Sequence, residues 1–347
     1  MHPRLAELGW DPAWEAVRST LAHDDCEPAR VAVQHRGGYV LYDAAGETAA
    51  VVSGKLRHDS IYLSQLPAVG DWVLARDGVI QAVLPRRTAF SRKIALGQVE
   101  QQIVGANIDG VFVVEAIDRE LNARRLERYI SVAYESGAEP AVLLNKRDLS
   151  ADVAGAVAQA EAIALGTPVH ALSARTGEGL EAVAARCRPG RTVVFIGPSG
   201  VGKTSLLNVL TGEPRPTAAV LEDGRGRHAT TRRELVLVPE RGIVLDTPGM
   251  RELQLWDASA GLDAVFADVA QLAGRCRFHD CGHNGEPGCA IQGAIDGGTL
   301  AADRFASYQK LEREEAHTLR KRDKRAIAEM RKKWRAIMKA RRAGWKD

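Results

Sequence analysis

The chain has 347 residues, more than one hydrophobic core usually supports, so two or three domains are expected. With 45% hydrophobic and 26% charged residues it reads as a folded protein, and no apolar run nears the roughly 20 residues needed to cross a bilayer. The net charge of +3 conceals an asymmetry: Thr318 to Asp347 carry +10 and the preceding 317 residues −7, and a basic tail on an acidic body points to an anionic partner.

Residues 1–29 read as a short helical extension. Its opening, MHPRLAELGWDPAWE, lacks the apolar centre of an export signal, so a cytoplasmic location is expected. Residues 30–92 have the texture of strands. Val31, Val33 and His35 alternate, Gly37-Gly38 offers a hairpin turn, and Tyr39 to Tyr42 returns. Ala50 to Gly54, Gly70 to Ala75 and Val79 to Leu84 add three more runs. Five short strands predict a small closed barrel. An OB-fold fits, and an SH3-like barrel fits the same pattern nearly as well.

Over residues 93–260 short aliphatic runs alternate with helical stretches. The runs are Gly110 to Glu115, Ala141 to Leu144, Pro168 to Leu172, Thr192 to Ile196, Leu235 to Val238 and Ile243 to Leu245. Ala123 to Glu135 and Lys203 to Leu210 lie between them as helices, and this alternation predicts a mostly parallel α/β sheet covered on both faces. Strands cease near Ala258. Residues 261–347 predict an α-helical domain ending in a charged helix, Leu300 to Ala340, free of Pro and Gly.

Gly197-Pro198-Ser199-Gly200-Val201-Gly202-Lys203-Thr204 fits G-x-x-x-x-G-K-[ST], after the run TVVFI and before a helix opening at Ser205. Its glycines let backbone N–H groups curl around phosphate oxygens. Lys203 reaches the β- and γ-phosphates in such a loop, and the Thr204 hydroxyl ligates Mg²⁺. Asn145-Lys146-Arg147-Asp148 closes another strand and selects the base. A carboxylate at 148 accepts from the guanine N1 and 2-amino groups, a donor pair that adenine lacks. Asn145 would brace the loop, and the Lys146 stem would lie along the base. Ser173-Ala174-Arg175 follows the next strand, with the Ala174 N–H expected to face guanine O6. Asp246-Thr-Pro-Gly249 completes the set: Asp246 holds Mg²⁺ through water and the Gly249 N–H senses the γ-phosphate. Gly224 to Thr231 between them suits a switch segment, with Thr230, or else Thr231, capping Mg²⁺.

Base-reading elements precede the phosphate loop, so the motif order is circularly permuted. That order, the barrel in front, the GRGRHATTRRE switch and a cysteine cluster behind resemble the RsgA (YjeQ) family, small-ribosomal-subunit-dependent GTPases of bacteria, over about residues 30 to 300. The resemblance implies GTP hydrolysis stimulated by the small subunit late in its maturation, with the barrel on ribosomal RNA.

Met250 stands where many GTPases place a water-orienting Gln, which leaves slow hydrolysis awaiting a partner or another residue in that role. His228 on the switch is the candidate, and the family resemblance points to it too; the alternative is a solvated loop His or one touching RNA phosphate. Cys276-x4-Cys281-x-His283-x5-Cys289 offers three thiolates and an imidazole, a closed four-ligand set suited to structural Zn²⁺, with His279 as rival fourth ligand. Cys26 and Cys187 are expected to be buried or incidental thiols. In the tail, Ile327, Met330, Trp334, Ile337 and Met338 make one apolar stripe on a cationic helix, for RNA phosphates, for its own domain or for a membrane surface. Nothing resembles a dimer seam, so a monomer is expected. The rival to an enzyme is an RNA-binding assembly scaffold with negligible turnover; a GTPase serving a non-ribosomal client is a third reading.

Overall fold

A computed structural model describes residues 2–314 except 36, 96–98, 213–232, 239, 247–261 and 263. The chain divides into two compact units, Met1–Gln254 and Leu255–Asp347.

The first unit opens with helices α1 (Pro3–Glu7) and α2 (Pro12–Arg18). Each starts on a proline, whose missing N–H costs nothing at a helix start, and the Asp11 carboxylate caps α2 by accepting from the Trp14 N–H at 2.9 Å. Trp10 and Trp14 are buried against Trp72 of the barrel, with ring centroids 4.8 and 6.4 Å from it. Beside them lies Arg30, fully buried. Its guanidinium donates to the carbonyls of Leu8 (2.5 Å), Gly70 (3.3 Å) and Asn107 (2.9 Å), while the Gly190 N–H donates to Glu7 O at 3.1 Å. The extension therefore bonds to the barrel through Arg30 and to the α/β part through Gly190.

The barrel comprises β1 (Glu27–His35), β2 (Gly38–Tyr42), β3 (Glu47–Val52), β4 (Trp72–Arg76) and β5 (Val79–Val83), with α3 (Gly54–Asp59) between β3 and β4. The order is β1-β2-β3-β5-β4, and β4 pairs back onto β1, closing the circuit. β3 and β5 run parallel and the other contacts antiparallel. That closure, with a helix between β3 and β4, is the OB arrangement and decides against the SH3-like alternative. Ala29, Val31, Leu41, Ala50, Val73 and Ile80 fill the interior. Gly54 begins the helix rather than ending a strand.

A hairpin of β6 (Ala89–Ala95) and β7 (Val99–Ala106) follows, running across residue 93 where the sequence pattern suggested a change of domain. Next come β8 (Gly110–Ala116), α4 (Ala123–Glu135), β9 (Glu139–Asn145), α5 (Val153–Ile163), β10 (Val169–Ala171), α6 (Glu181–Ala184), β11 (Thr192–Ile196), α7 (Lys203–Thr211), β12 (Glu234–Val238) and β13 (Gly242–Asp246). The sheet order is β10-β9-β8-β11-β13-β12, parallel except for β12. Its central strands β8, β9 and β11 are buried and mainly apolar, as expected of a parallel sheet covered on both faces. Phe112 and Phe195 stack at 5.2 Å beneath Leu206, Leu207 and Leu210 of α7. β12 also meets barrel strand β1, with Val33 opposite Glu234, so barrel and α/β sheet are hydrogen-bonded together. Cys26 and Cys187 are buried, and burial pushes the Cys187 thiol up to about 12.

In the second unit α8 (Ala267–Ala273) and α9 (Ala290–Asp296) flank the cysteine cluster, and residues 302–314 are helical. Of the expected Leu300–Ala340 helix, residues 302–314 are helical while Leu300 and Ala301 precede it; its later part, with the apolar stripe from Ile327 to Met338, lies outside the described residues.

Candidate nucleotide-binding and metal sites

Parallel strands place all their following loops at one end of the sheet, and three of the motifs and the first residue of the fourth arrive there together. β9 ends on Asn145, β10 leads to Ser173, β11 to Gly197, and β13 ends on Asp246. The adjacency of β11 and β13 sets Asp246, a Mg²⁺ candidate, at the end of the strand neighbouring the one that feeds Thr204, the other.

Backbone geometry explains the glycines. Gly197 has φ +140 and a Cβ there would lie 2.2 Å from Val114 O; Gly202 has φ +96 and a Cβ would lie 2.2 Å from Asn145 Nδ2. Only glycine fits either position. Ser199 and Gly200 form the loop's exposed crest, Val201 is buried beneath it, and Ser205 sits in the first turn of α7. Lys203 Nζ donates to the carbonyls of Gly197 (2.8 Å) and Pro198 (2.6 Å), which holds the ammonium inside the curl of the loop.

Asn145, 2% exposed, spans two motifs. Its Nδ2 donates to Val201 O at 2.7 Å, and its Oδ1 accepts from the Ala174 N–H at 3.0 Å. The Asn145 side chain therefore ties the phosphate loop to the loop after β10, and the Ala174 N–H is directed at Asn145. Asp148 is fixed by Ser173, whose hydroxyl donates to Oδ1 at 2.6 Å while its oxygen accepts from the N–H groups of Arg175 (3.2 Å) and Thr176 (3.1 Å). Arg147 turns away to Glu178 at 3.0 Å. Lys146 has φ +66, and its Nζ lies 2.7 Å from Asp118 Oδ2. The neighbouring Arg119 reaches Gly200 O at 3.5 Å. Asp118 and Arg119 escaped the sequence reading; an acid–base pair just past a buried strand, Glu115-Ala-Ile-Asp118-Arg119, was the available sign. His228, Thr230, Thr231, Gly249 and Met250 lie outside the described residues.

The second unit carries the metal candidate. One ligand atom from each of Cys276, Cys281, His283 and Cys289 falls within 4.8 Å of the others. His283 Nδ1 is 3.5 Å from the Sγ of both Cys276 and Cys289. Tetrahedral zinc with ordinary bond lengths requires an N···S separation of about 3.6 Å, so the donor set fits. The N–H groups of Ala290 and Gln292 donate to Cys276 Sγ and Cys289 Sγ, both at 3.4 Å, satisfying electron-rich sulfur. His283 takes φ +58 and packs edge-on against Phe305. His279 is exposed and stands outside the group.

A phosphate loop joined through Asn145 to a base-reading loop, on a sheet whose motif order is rotated, defines a circularly permuted P-loop GTPase domain. Comparison with known proteins agrees. The RsgA GTPase family model matches residues 83–256. The chain is 44% identical to the small ribosomal subunit biogenesis GTPase RsgA of Opitutus terrae, over 98% of this chain and 97% of that one. Against the RsgA of Streptomyces coelicolor identity is 41%, over 99% and 97%. The crystal structure of YjeQ from Thermotoga maritima superposes with a TM-score of 0.64 at 27% identity, covering 84% of this chain and 99% of that one. YloQ, described as a circularly permuted GTPase, gives 0.59 at 22% identity over 85% and 97%, a likeness of fold. The chain belongs to the RsgA GTPase family.

Proposed function

We propose that this protein binds GTP at the loops closing β9, β10, β11 and β13, hydrolyses it to GDP and phosphate, and does so on the small ribosomal subunit during its late maturation. The observation that carries the reading is the Asn145 amide, which ties the phosphate loop to the base-reading strand end. Curated relatives named as small ribosomal subunit biogenesis GTPases, matched over nearly the whole chain, support the ribosomal assignment. The working domains are the barrel of β1–β5, the GTPase domain reaching to about residue 260 and the metal-bearing domain 261–347, behind the N-terminal extension. The protein acts in the cytoplasm, as a monomer, with ribosomal RNA as its anionic partner.

In this mechanism Asp148, oriented by Ser173, reads the N1 and 2-amino groups of guanine. The Lys146 stem covers the base plane, and the loop 197–204 cradles the phosphates with Lys203 at the β- and γ-oxygens. Thr204 and Asp246 would hold Mg²⁺, which when bound neutralises developing phosphate charge. Met250 cannot orient water, so His228 takes that role, with Thr230 closing over the γ-phosphate. Cys276, Cys281, His283 and Cys289 would hold one zinc whose filled shell supplies folding energy rather than catalysis.

The test is phosphate release with and without purified small subunits. Strong stimulation, lost in His228→Ala while GTP affinity holds, supports the mechanism. Equal, negligible release in both would favour the scaffold reading, and unchanged single-turnover hydrolysis in the variant would remove His228.

A further inference from the structure

The loop after β8, residues 117–122, is pinned at both ends. The Ile117 N–H donates to Asn145 O at 2.9 Å, and Asn122 caps α4 by accepting from the Arg125 N–H at 2.9 Å. Arg125 in turn forks onto the buried Glu115 at 2.9 and 2.8 Å. Asp118 and Arg119 are thus presented from a braced segment rather than a slack one.

Their contacts run in one direction. Lys146 Nζ meets Asp118 Oδ2 at 2.7 Å, Asp118 Oδ1 meets Arg119 Nε at 3.4 Å, and Arg119 Nη2 reaches Gly200 O at 3.5 Å. Lys146 belongs to the base-reading loop and Gly200 to the crest of the phosphate loop. The Lys146–Asp118 pair is about three-quarters shielded on both sides, and Lys146 holds the Asp118 carboxyl below the usual carboxylate range. A partly shielded charged hydrogen bond is worth more than an exposed ion pair.

We propose that Asp118 is a positioning residue for nucleotide recognition, joining Lys146 through Arg119 to Gly200 so that the base-reading and phosphate-binding loops are held in register. This is a second tie between those loops, on the outer side of the site, parallel to the buried one made by Asn145. It rests on the nucleotide-site reading given above. Charge decides its strength: Asn at 118 keeps the shape, but its neutral amide cannot hold an ammonium and a guanidinium together.

The experiment is a titration of the full-length protein with GDP and with inosine diphosphate, which lacks the 2-amino group, for wild type, Asp118→Asn, Asp118→Glu, Arg119→Ala and the double variant Asp118→Asn/Arg119→Ala. Asp118→Asn is expected to weaken GDP about tenfold. The GDP-to-inosine-diphosphate ratio should hold, because Asp148 reads that amino group. Asp118→Glu should recover most of the loss, and the double variant should lose no more than the weaker single. GDP affinity within twofold of wild type in Asp118→Asn would overturn the proposal, as would losses that multiply in the double variant. Asp148→Asn separates the two levels of inference: if it too leaves GDP binding intact, the site reading fails rather than the tie.

Discussion

The amide of Asn145 donates to the carbonyl of Val201, 56 positions further along the chain, at 2.7 Å. Both ends are buried, so the bond is unscreened. Asn145→Ala leaves the Val201 carbonyl and the Ala174 N–H without this partner, a loss of roughly 2–6 kcal/mol at 1–3 kcal/mol for each orphaned group. The expected outcome is a lower melting temperature together with at least a tenfold loss of GTP affinity. Thermal unfolding and calorimetric titration on one preparation check it; loss of neither would make Asn145 incidental.

Base choice depends on Asp148. Replacing it with Asn removes one acceptor and presents an N–H₂ to the guanine 2-amino group. Guanine nucleotides should bind at least a hundredfold more weakly, while xanthine nucleotides, which carry an oxygen at that position, should gain. Competition between the two nucleotide families measures the exchange.

Arg30 is fully buried against three carbonyls, and burial lowers its pKa to about 10, still far above neutrality. Arg30→Met removes the charge but abandons the Leu8, Gly70 and Asn107 carbonyls, so about 3 kcal/mol of destabilisation is expected. Trp10, Trp14 and Trp72 surround this point, and an early change in their fluorescence during denaturation would report that the extension leaves first.

Acid should loosen the same extension. Arg87 grips Asp11 at 2.5 and 2.7 Å and lies over the Trp14 ring, and its hydrogen bond holds the Asp11 carboxyl below its ordinary value. A carboxylate with a lowered pKa in the fold contributes stability above its unfolded pKa and surrenders it as pH falls through the folded one. Tryptophan emission should therefore shift on the acid side of the usual carboxylate range. Asp11→Asn should abolish the pH dependence of that step.

The metal prediction is stoichiometric. One zinc per chain should co-purify, and Cys281→Ser or a strong chelator should remove it and reduce the helicity of residues 262–314. Nucleotide binding, which belongs to the first unit, should persist. Elemental analysis with circular dichroism decides the matter.

Much of the site was legible because its motifs are short, contiguous and chemically constrained: Gly202 before Lys203, Asn145 ahead of Asp148, three thiolates around His283. The alternating sheet followed from β-branched runs that nothing but a buried strand explains. What stayed hidden depended on distance. The partner of Asp118 is 28 residues away and that of Arg30 as far as 77, and local pattern carries no such information. The β6–β7 hairpin was obscured by its polar cross-strand pairs, Arg92 with Gln102 and Lys93 with Gln101, which look like linker. The bond of the Ala174 N–H to Asn145 was hidden for the same reason, its partner lying 29 positions away.

The pairing of Val33 with Glu234 has a consequence for self-association. Open sheets invite additional strands wherever a row of backbone groups goes unmatched. Here the β12 border abuts the barrel, and the Tyr42 hydroxyl donates to the next carbonyl along it, Leu235 O, at 3.3 Å. The opposite border ends in β10, three residues long. Among the described residues, a stray strand finds one border of this sheet met by the barrel and the other too short to template much growth.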